Sequence, residues 1–164
     1  MLSGPENAKA DLEEIKRVIM ENSSFNTVAM VHCETTSGVI HPVVEVGRLV
    51  KQHLPKAAFF VDAMSSFGAV PLNFAEGGID YMVSSANKCI EGVPGFSFVI
   101  ARTDHLLKCE GFARSLSLDI VDQYKTLEKT GQFRFTPPTH AMLAFRKAIS
   151  ELEEEGGVIG RAER

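Results

Sequence analysis

The chain has 164 residues, of which 45% are hydrophobic and 23% charged, and its 17 Lys and Arg are set against 21 Asp and Glu, a net charge of −4. This composition is typical of one globular domain of ordinary size, and it excludes a disordered chain, a collagen-like chain and a coiled-coil fibre. A slightly acidic chain has no broad attraction for nucleic acid or anionic lipid. We therefore expect a small molecule or another subunit as partner, with no nucleic acid and no membrane.

The first half of the chain alternates between helical and strand patterns. We predict, in order, a helix over 8–22, a strand over 27–32, a helix over 42–53, and strands over 57–61 and 79–83. The nearly continuous apolar run from Thr27 to His32 is typical of a strand buried on both faces of a parallel sheet. The order predicts an α/β fold with a mostly parallel sheet and flanking helices.

The second half begins with a short link of Gly and Pro, residues 92–95, that leads directly into a strand over 96–101. So short a link is more compatible with an antiparallel neighbour than with a crossover helix. Two further helices are predicted over 118–129 and 139–155, and the extended residues 133–138 separate them.

The cysteines and histidines indicate a reducing compartment and no metal. Three cysteines (Cys33, Cys89 and Cys109) are too widely spaced for a disulfide framework or a CxxC site, and no two histidines are four residues apart. No run of 18 apolar residues occurs, and the N-terminal residues lack the apolar core of a signal peptide. We expect a cytoplasmic location and leave an organellar one open.

Three loops leave the carboxyl ends of predicted strands, and they carry Thr35, Asp62 and Lys88. Ligands of open α/β sheets bind at this edge. A lone lysine there is more often solvated, and a lone aspartate more often caps a turn. Together, however, Asp62 and Lys88 would fall on neighbouring strand ends. A lysine that bonds to an aldehyde and a carboxylate against a pyridine nitrogen are what a pyridoxal phosphate site requires, and Ser84, Ser85 and Ala86 leave room for a flat ring.

Several segments resemble class V aminotransferases, which have the type I pyridoxal phosphate fold. They are residues 32–36 (HCETT), 61–68 (VDAMSSFG), 84–96 (SSANKCIEGVPGF), 114–119 (RSLSLD) and 134–140 (RFTPPTH). The first of these is most similar to the branch of the family that transfers the amino group of 2-aminoethylphosphonate to pyruvate. The resemblance runs from about Thr27 to near the C-terminus.

The resemblance implies pyridoxal 5′-phosphate as cofactor and a role for each matching residue. Lys88 would be the catalytic residue, which bonds to the cofactor aldehyde and moves the proton. Asp62 would pair with the pyridinium, and Thr35 would lie near the ring's 3-oxygen. Thr136 would reach the cofactor phosphate of the partner subunit in a homodimer. Ser85, Asn87 and Met64 are further candidates to line the cofactor.

The residues that bind substrate stay open. Arg114 and Arg134 are candidates for a phosphonate or phosphate contact, and each could equally make a structural ion pair. Cys89, next to Lys88, is either a reactive thiol or a packed small residue. Arg161 and Arg164 follow Gly156 and Gly157, where we expect a helix to end and a loop to begin.

The resemblance covers the central part of such an enzyme and divides the chain accordingly. We assign residues 1–26 to an N-terminal helix and linker, 27–138 to a partial cofactor-binding large domain, and 139–164 to a helix that leads toward a small domain outside the chain. Two alternatives to the implied reaction stay open. One is another class V transamination, such as alanine with glyoxylate or serine with pyruvate, and the other is a non-catalytic homologue that acts only through subunit association.

Overall fold

The computed structural model describes Leu2 and residues 4–164, and within them a four-stranded sheet forms the centre of the fold. Its strands are β1 (Thr27–Val31), β2 (Ala58–Asp62), β3 (Tyr81–Ser85) and β4 (Ser97–Ala101), in this order across the sheet. Strands β1, β2 and β3 are parallel, and β4 is antiparallel to β3. The predicted mostly parallel α/β sheet with one antiparallel strand is confirmed.

The helices are α1 (Leu12–Glu21), α2 (Val43–His53), α3 (Thr103–Leu106), α4 (Ile120–Thr130), α5 (Thr139–Glu154) and α6 (Gly157–Glu163), and a 3-10 turn (Leu107–Cys109) follows α3. None of the helices formed by the described residues has the length and apolar character needed to cross a bilayer. Helices α1 and α4 begin later than predicted because Asp11 and Asp119 cap them. Asp11 accepts two backbone N–H groups of the first turn, and Asp119 accepts one, that of Asp122.

Helix α6 corrects the prediction that residues after Gly157 leave a helix for a loop. Helix α5 does end at Glu154, but Gly156 adopts a left-handed conformation (φ 101°) that only turns the chain before α6 begins. Two consecutive glycines read as a stop in the sequence, whereas here they join two helices. Arg161 and Arg164 consequently lie on α6 and directly after it.

Strand β1 is less buried than the sequence predicted. Thr27 and Ala29 are exposed, while Val28 and Met30 pack against the core. The reason is its place at the end of the strand order, where only β2 pairs with it. An apolar run therefore did not distinguish an edge strand from a central one.

The main core lies between α1, α2 and the sheet. Its most buried side chains are those of Val43, Val46, Val50, Phe59, Val61 and Met82. Helix α2 packs very closely against the turn before β3. A methyl group added at Gly47 would lie only 1.8 Å from the carbonyl oxygen of Gly77, so no larger residue fits there. A second, smaller cluster joins Ile90 to Ala148 and Leu152 of α5.

A buried carboxylate ties together the amino-terminal end of β3 and its neighbours. Asp80 is 2% exposed and accepts hydrogen bonds from Lys51 Nζ (2.5 Å), the Phe59 N–H (2.8 Å) and Arg102 Nη1 (3.1 Å). Burial raises the pKa of Asp80, but the hydrogen bonds from Lys51 and Phe59 and the two positive charges outweigh that effect, so its pKa lies below its ordinary value. This cluster is structural and lies at the amino-terminal end of β3, whereas Lys88 follows the carboxyl-terminal end of that strand.

Candidate active site

The carboxyl ends of β1, β2 and β3 lie side by side at one edge of the sheet. Val31 pairs with Asp62, and Asp62 pairs with Val83, so the loops that follow the three strands start next to one another. Thr35, Asp62 and Lys88 are carried by these three loops. The predicted neighbourhood of the Asp62 and Lys88 strand ends is therefore present.

Hydrogen bonds join the loops beyond the ends of the strands. The hydroxyl groups of Thr35 and Ser65 are 2.5 Å apart, and the Cys89 thiol donates to the Ser65 carbonyl oxygen (3.3 Å). The His32 N–H donates to the Asp62 carbonyl oxygen at 2.8 Å. Ser65 thus connects the loop of Thr35 to the loop of Lys88, a part that a residue-by-residue reading of the sequence did not assign to it.

The Asp62 carboxylate is half-buried and held by its own loop. Its Oδ1 atom accepts the Met64 N–H at 2.9 Å, which is the geometry of an Asx turn. No described residue donates a hydrogen bond to its other oxygen. One oxygen therefore fixes the orientation of the carboxylate, and the second is available to a ligand.

A buried pair, His32 and Ser66, lies beneath the same loops. Ser66 Oγ is 2.9 Å from His32 Nδ1, and the two residues are 0% and 4% exposed, Ser66 being the lower. Burial lowers the pKa of His32, and the neighbouring His41 lowers it further. The neutral imidazole of His32 therefore holds the hydroxyl group of Ser66, which lies four positions after Asp62. Nothing in the sequence beyond the two residue types indicated this pair.

Lys88 lies in a tight turn directly after β3. The Glu91 N–H donates to the Lys88 carbonyl oxygen and the Gly92 N–H to the Ala86 carbonyl oxygen, both at 2.8 Å. The side chains of Lys88 and Asn87 are exposed at the sheet edge. Burial raises the pKa of the Cys89 thiol, and the nearby Cys33 adds to the effect. The structure thus favours Cys89 as a packed residue over a reactive thiol.

Ser84 and Ser85 end β3 and differ in their hydrogen bonding. Ser84 Oγ donates to the Ala63 carbonyl oxygen at 3.3 Å. Ser85 is 5% exposed, and its Oγ is a buried atom that has no hydrogen-bond partner among the described residues. Buried hydroxyl groups nearly always have a partner, so Ser85 Oγ is a position where a bound molecule would be expected to supply one.

Thr136 and the two arginine candidates lie outside this group of contacts. Thr136 is exposed in the irregular segment between α4 and α5. Arg134 pairs with Asp122 (2.8 Å) and donates to the Leu116 carbonyl oxygen (2.9 Å), which favours the structural ion pair over a substrate contact. Arg114 is exposed in the loop before α4 and stays a candidate.

A mostly parallel α/β sheet that carries a lysine and a carboxylate at the ends of neighbouring strands is the architecture of a type I pyridoxal phosphate enzyme. Residues 2–161 match the model of the aminotransferase class-V family, and the chain belongs to that family. A solved structure, pyridoxamine-pyruvate aminotransferase from Mesorhizobium loti, superposes with a TM-score of 0.85 at 26% identity, over 94% of this chain and 40% of that one.

Curated relatives resemble the chain more strongly in sequence. A 2-aminoethylphosphonate–pyruvate transaminase of Bacteroides fragilis (strain YCH46) is 50% identical over 165 aligned residues, which cover all of this chain and 45% of that protein. A relative of the same name in Bacillus cereus (strain Q1) is 52% identical over 155 residues, or 94% of this chain and 42% of its own length. The chain therefore spans less than half the length of these relatives.

Proposed function

We propose that this chain forms the cofactor-anchoring part of a pyridoxal-phosphate-dependent transaminase that moves the amino group of 2-aminoethylphosphonate to pyruvate. The products are phosphonoacetaldehyde and L-alanine. The observation that carries the proposal is the placement of Lys88 and Asp62 after neighbouring strands. A hydrogen bond from the Cys89 thiol to the Ser65 carbonyl oxygen joins the two loops that follow these strands. The choice of substrates is supported by the relatives at 50% and 52% identity that are named for this reaction.

The residues at the sheet edge fit pyridoxal phosphate. They offer an exposed amine (Lys88), a carboxylate with one uncommitted oxygen (Asp62), a surface hydroxyl (Thr35) and a buried hydroxyl that lacks a partner among the described residues (Ser85). Met64 and Asn87, which flank Asp62 and Lys88, complete the proposed lining. When bound, pyridoxal phosphate supplies an electron sink that allows the carbon next to the amino group to lose a proton.

In this proposal each residue has a chemical task. Lys88 Nζ would hold the cofactor by bonding to its aldehyde, and as a free amine it would accept the proton that the substrate carbon bearing nitrogen loses. Asp62, oriented by the Met64 N–H, would keep a proton on the ring nitrogen. Thr35, hydrogen-bonded to Ser65, would lie near the ring's 3-oxygen.

Association of two chains forms part of the same proposal. Large apolar side chains are exposed on either side of α4: Phe112 (76%), Leu116 (73%) and Leu118 (76%) before it, and Phe133 and Phe135 after it. We call these five residues the apolar patch. Arg134 holds its two parts together by donating to the Leu116 carbonyl oxygen. Thr136 follows the patch directly, and a second copy seated on the patch would receive its hydroxyl at the cofactor phosphate.

The test is a covalent adduct at Lys88. The purified chain, incubated with pyridoxal phosphate, should develop an absorbance band near the visible edge that borohydride abolishes, and peptide mass spectrometry should find the reduced adduct on Lys88. Lys88→Ala should lose the band and lower any turnover at least about 100-fold. Lys56→Ala, which removes another exposed lysine, is the matched control and should keep both. An adduct unchanged by Lys88→Ala would refute the assignment.

Substrate choice needs a separate comparison. Turnover with 2-aminoethylphosphonate and pyruvate should exceed that with alanine and glyoxylate or with serine and pyruvate; the reverse order would support another class V activity. No cofactor adduct with retained association would support the non-catalytic alternative.

We place the protein in the cytoplasm, a proposal that its free thiols at Cys33, Cys89 and Cys109 support.

A further inference from the structure

The turn that carries Lys88 is held from outside by an arginine distant in the sequence. Arg161, on α6, donates from Nη1 to the carbonyl oxygen of Cys89 at 2.6 Å, across 72 residues of chain. The Arg161 side chain is only 6% exposed. It therefore contacts the peptide that joins Cys89 to Ile90, one residue after Lys88 in the same turn.

The charge of Arg161 is matched by two carboxylates. Its Nε donates to Glu155, and its Nη1 lies 3.5 Å from a carboxylate oxygen of Glu91. A buried guanidinium is costly unless its charge is matched and its donors have acceptors; here two carboxylates match the charge, and both Nε and Nη1 have acceptors. Glu155 belongs to the junction of α5 and α6, whereas Glu91 belongs to the lysine turn itself. Arg161 therefore bridges the helical layer and the turn.

The backbone of the same turn is strained at Glu91, which pairs with Arg161. Glu91 has φ 64°, a left-handed conformation that residues other than glycine adopt only at an energetic cost. Such strain persists only where surrounding contacts over-determine the conformation. The contacts here are the ion pairs of Glu91 with Arg161 and Arg164 and the seating of Ile90 against α5.

We infer that Arg161 is a positioning residue for Lys88: it fixes the Cys89 carbonyl and the strained Glu91, and so holds the lysine amine at the sheet edge. The inference deepens the proposed function and rests on it for the role of Lys88. The hydrogen bonds themselves belong to the chain without cofactor. Loss of the arginine should therefore loosen the turn before any cofactor is present.

Arg164 is a matched control within the same cluster. It pairs with both Glu91 and Glu155, as Arg161 does, but it is 55% exposed and its described hydrogen bonds do not include the Cys89 carbonyl. Comparing Arg161→Gln with Arg164→Gln thus separates the bond to the lysine turn from the shared ion pairs. Arg161→Lys keeps the positive charge but loses the planar guanidinium group, and it can be tested in place of Arg161→Gln if that variant does not fold.

Two measurements on the cofactor-free chain test the inference. Hydrogen exchange at the Glu91 and Gly92 amides should be about tenfold faster in Arg161→Gln, as for loss of one or two charge-assisted hydrogen bonds. Competitive acetylation at one fixed pH, resolved by peptide, should show a changed reactivity of the Lys88 amine and an unchanged reactivity of Lys56. Arg164→Gln removes only an exposed ion pair of Glu91 and should change both measurements clearly less than Arg161→Gln, and Arg161→Lys should fall between Arg161→Gln and the unaltered chain.

The contrary results are equally defined. If Arg161→Gln, or Arg161→Lys where the first does not fold, lowers stability but leaves exchange at Glu91 and Gly92 and the reactivity of Lys88 unchanged, Arg161 is structural only. Equal effects of Arg161→Gln and Arg164→Gln would also overturn the inference. Neither readout needs bound cofactor, so failure of Lys88 to take pyridoxal phosphate would refute the proposed function without changing these measurements.

Discussion

His32 is the titratable side chain most closely built into the support of the candidate site. It lies one residue beyond β1, pairs with Ser66, and donates its backbone N–H to the Asp62 carbonyl oxygen. The neighbouring His41, whose Nε2 lies 3.5 Å from a Glu34 carboxylate oxygen, faces it and lowers its pKa further. Because burial disfavours the charged imidazole, protonation of His32 and the integrity of the loop after Asp62 are opposed.

The pH dependence of stability should reveal this opposition. The pKa of His32 is lowered from 6.5 in the folded chain, so the unfolded chain binds a proton first as the pH falls. The stability that the neutral His32 contributes is therefore complete above about pH 6.5 and decreases below it. The slope attributable to His32 cannot exceed about 1.4 kcal/mol per pH unit, the value for one proton. Urea unfolding between about pH 5 and 8 should show a shallower slope in His32→Gln. An unchanged slope would assign the effect to other groups.

At the scale of single residues, the sequence indicated where the candidate side chains lie but not what supports them. The placement of Thr35, Asp62 and Lys88 at one end of the sheet could be predicted because each follows an apolar strand pattern, and parallel strands bring their carboxyl ends together. Ser65, Ser66 and Arg161 could not. Their hydrogen bonds depend on how loops and α6 pack across 24 to 72 residues of chain, which periodicity does not encode.

Elements were predictable where a helix or strand has a pattern of its own. Helices α2 and α5 were predicted within two residues of their bounds, because a Pro precedes each and an apolar stripe continues through it. Helix α3 has four residues, too few to show a helical period. Edge burial of β1 and the start of α6 depend on neighbouring elements, and the sequence pattern gave the wrong expectation for both.

The Asp80 cluster should account for much of the attachment between elements. Asp80 precedes β3 and joins Lys51 of α2, the Phe59 N–H of β2 and Arg102 after β4. Asp80→Asn should lower the free energy of unfolding by about 2–3 kcal/mol, below the usual cost of breaking a buried pair because Lys51 and Arg102 can regain water. Asp104→Asn removes the other, exposed carboxylate that pairs with Arg102, and denaturant unfolding should show no comparable loss. Equal effects would mean that the buried cluster contributes no more than a surface pair.

At the scale of the whole molecule, the apolar patch is the surface that the proposed association with a second copy would use. Phe112, Leu116 and Leu118 are each more than 70% exposed, although the main core buries smaller side chains completely. Exposed apolar side chains grouped in this way usually mark a contact surface. The position of Thr136 next to the patch would connect association to the cofactor site.

Replacing Phe112, Leu116 and Leu118 together by Ser should therefore shift the chain toward the monomer. We expect sedimentation velocity to give a mass that rises with concentration for the unaltered chain and stays at one copy for the triple variant, because each buried apolar side chain contributes roughly 1.5–3 kcal/mol to association. The control is Leu143→Gln with Ile159→Gln, which removes two side chains of similar exposure (66% and 58%) on α5 and α6. This variant should associate as the unaltered chain does. If instead it abolishes association and the triple variant does not, the second copy binds the α5 and α6 face, and Thr136 cannot serve the partner's cofactor through the apolar patch.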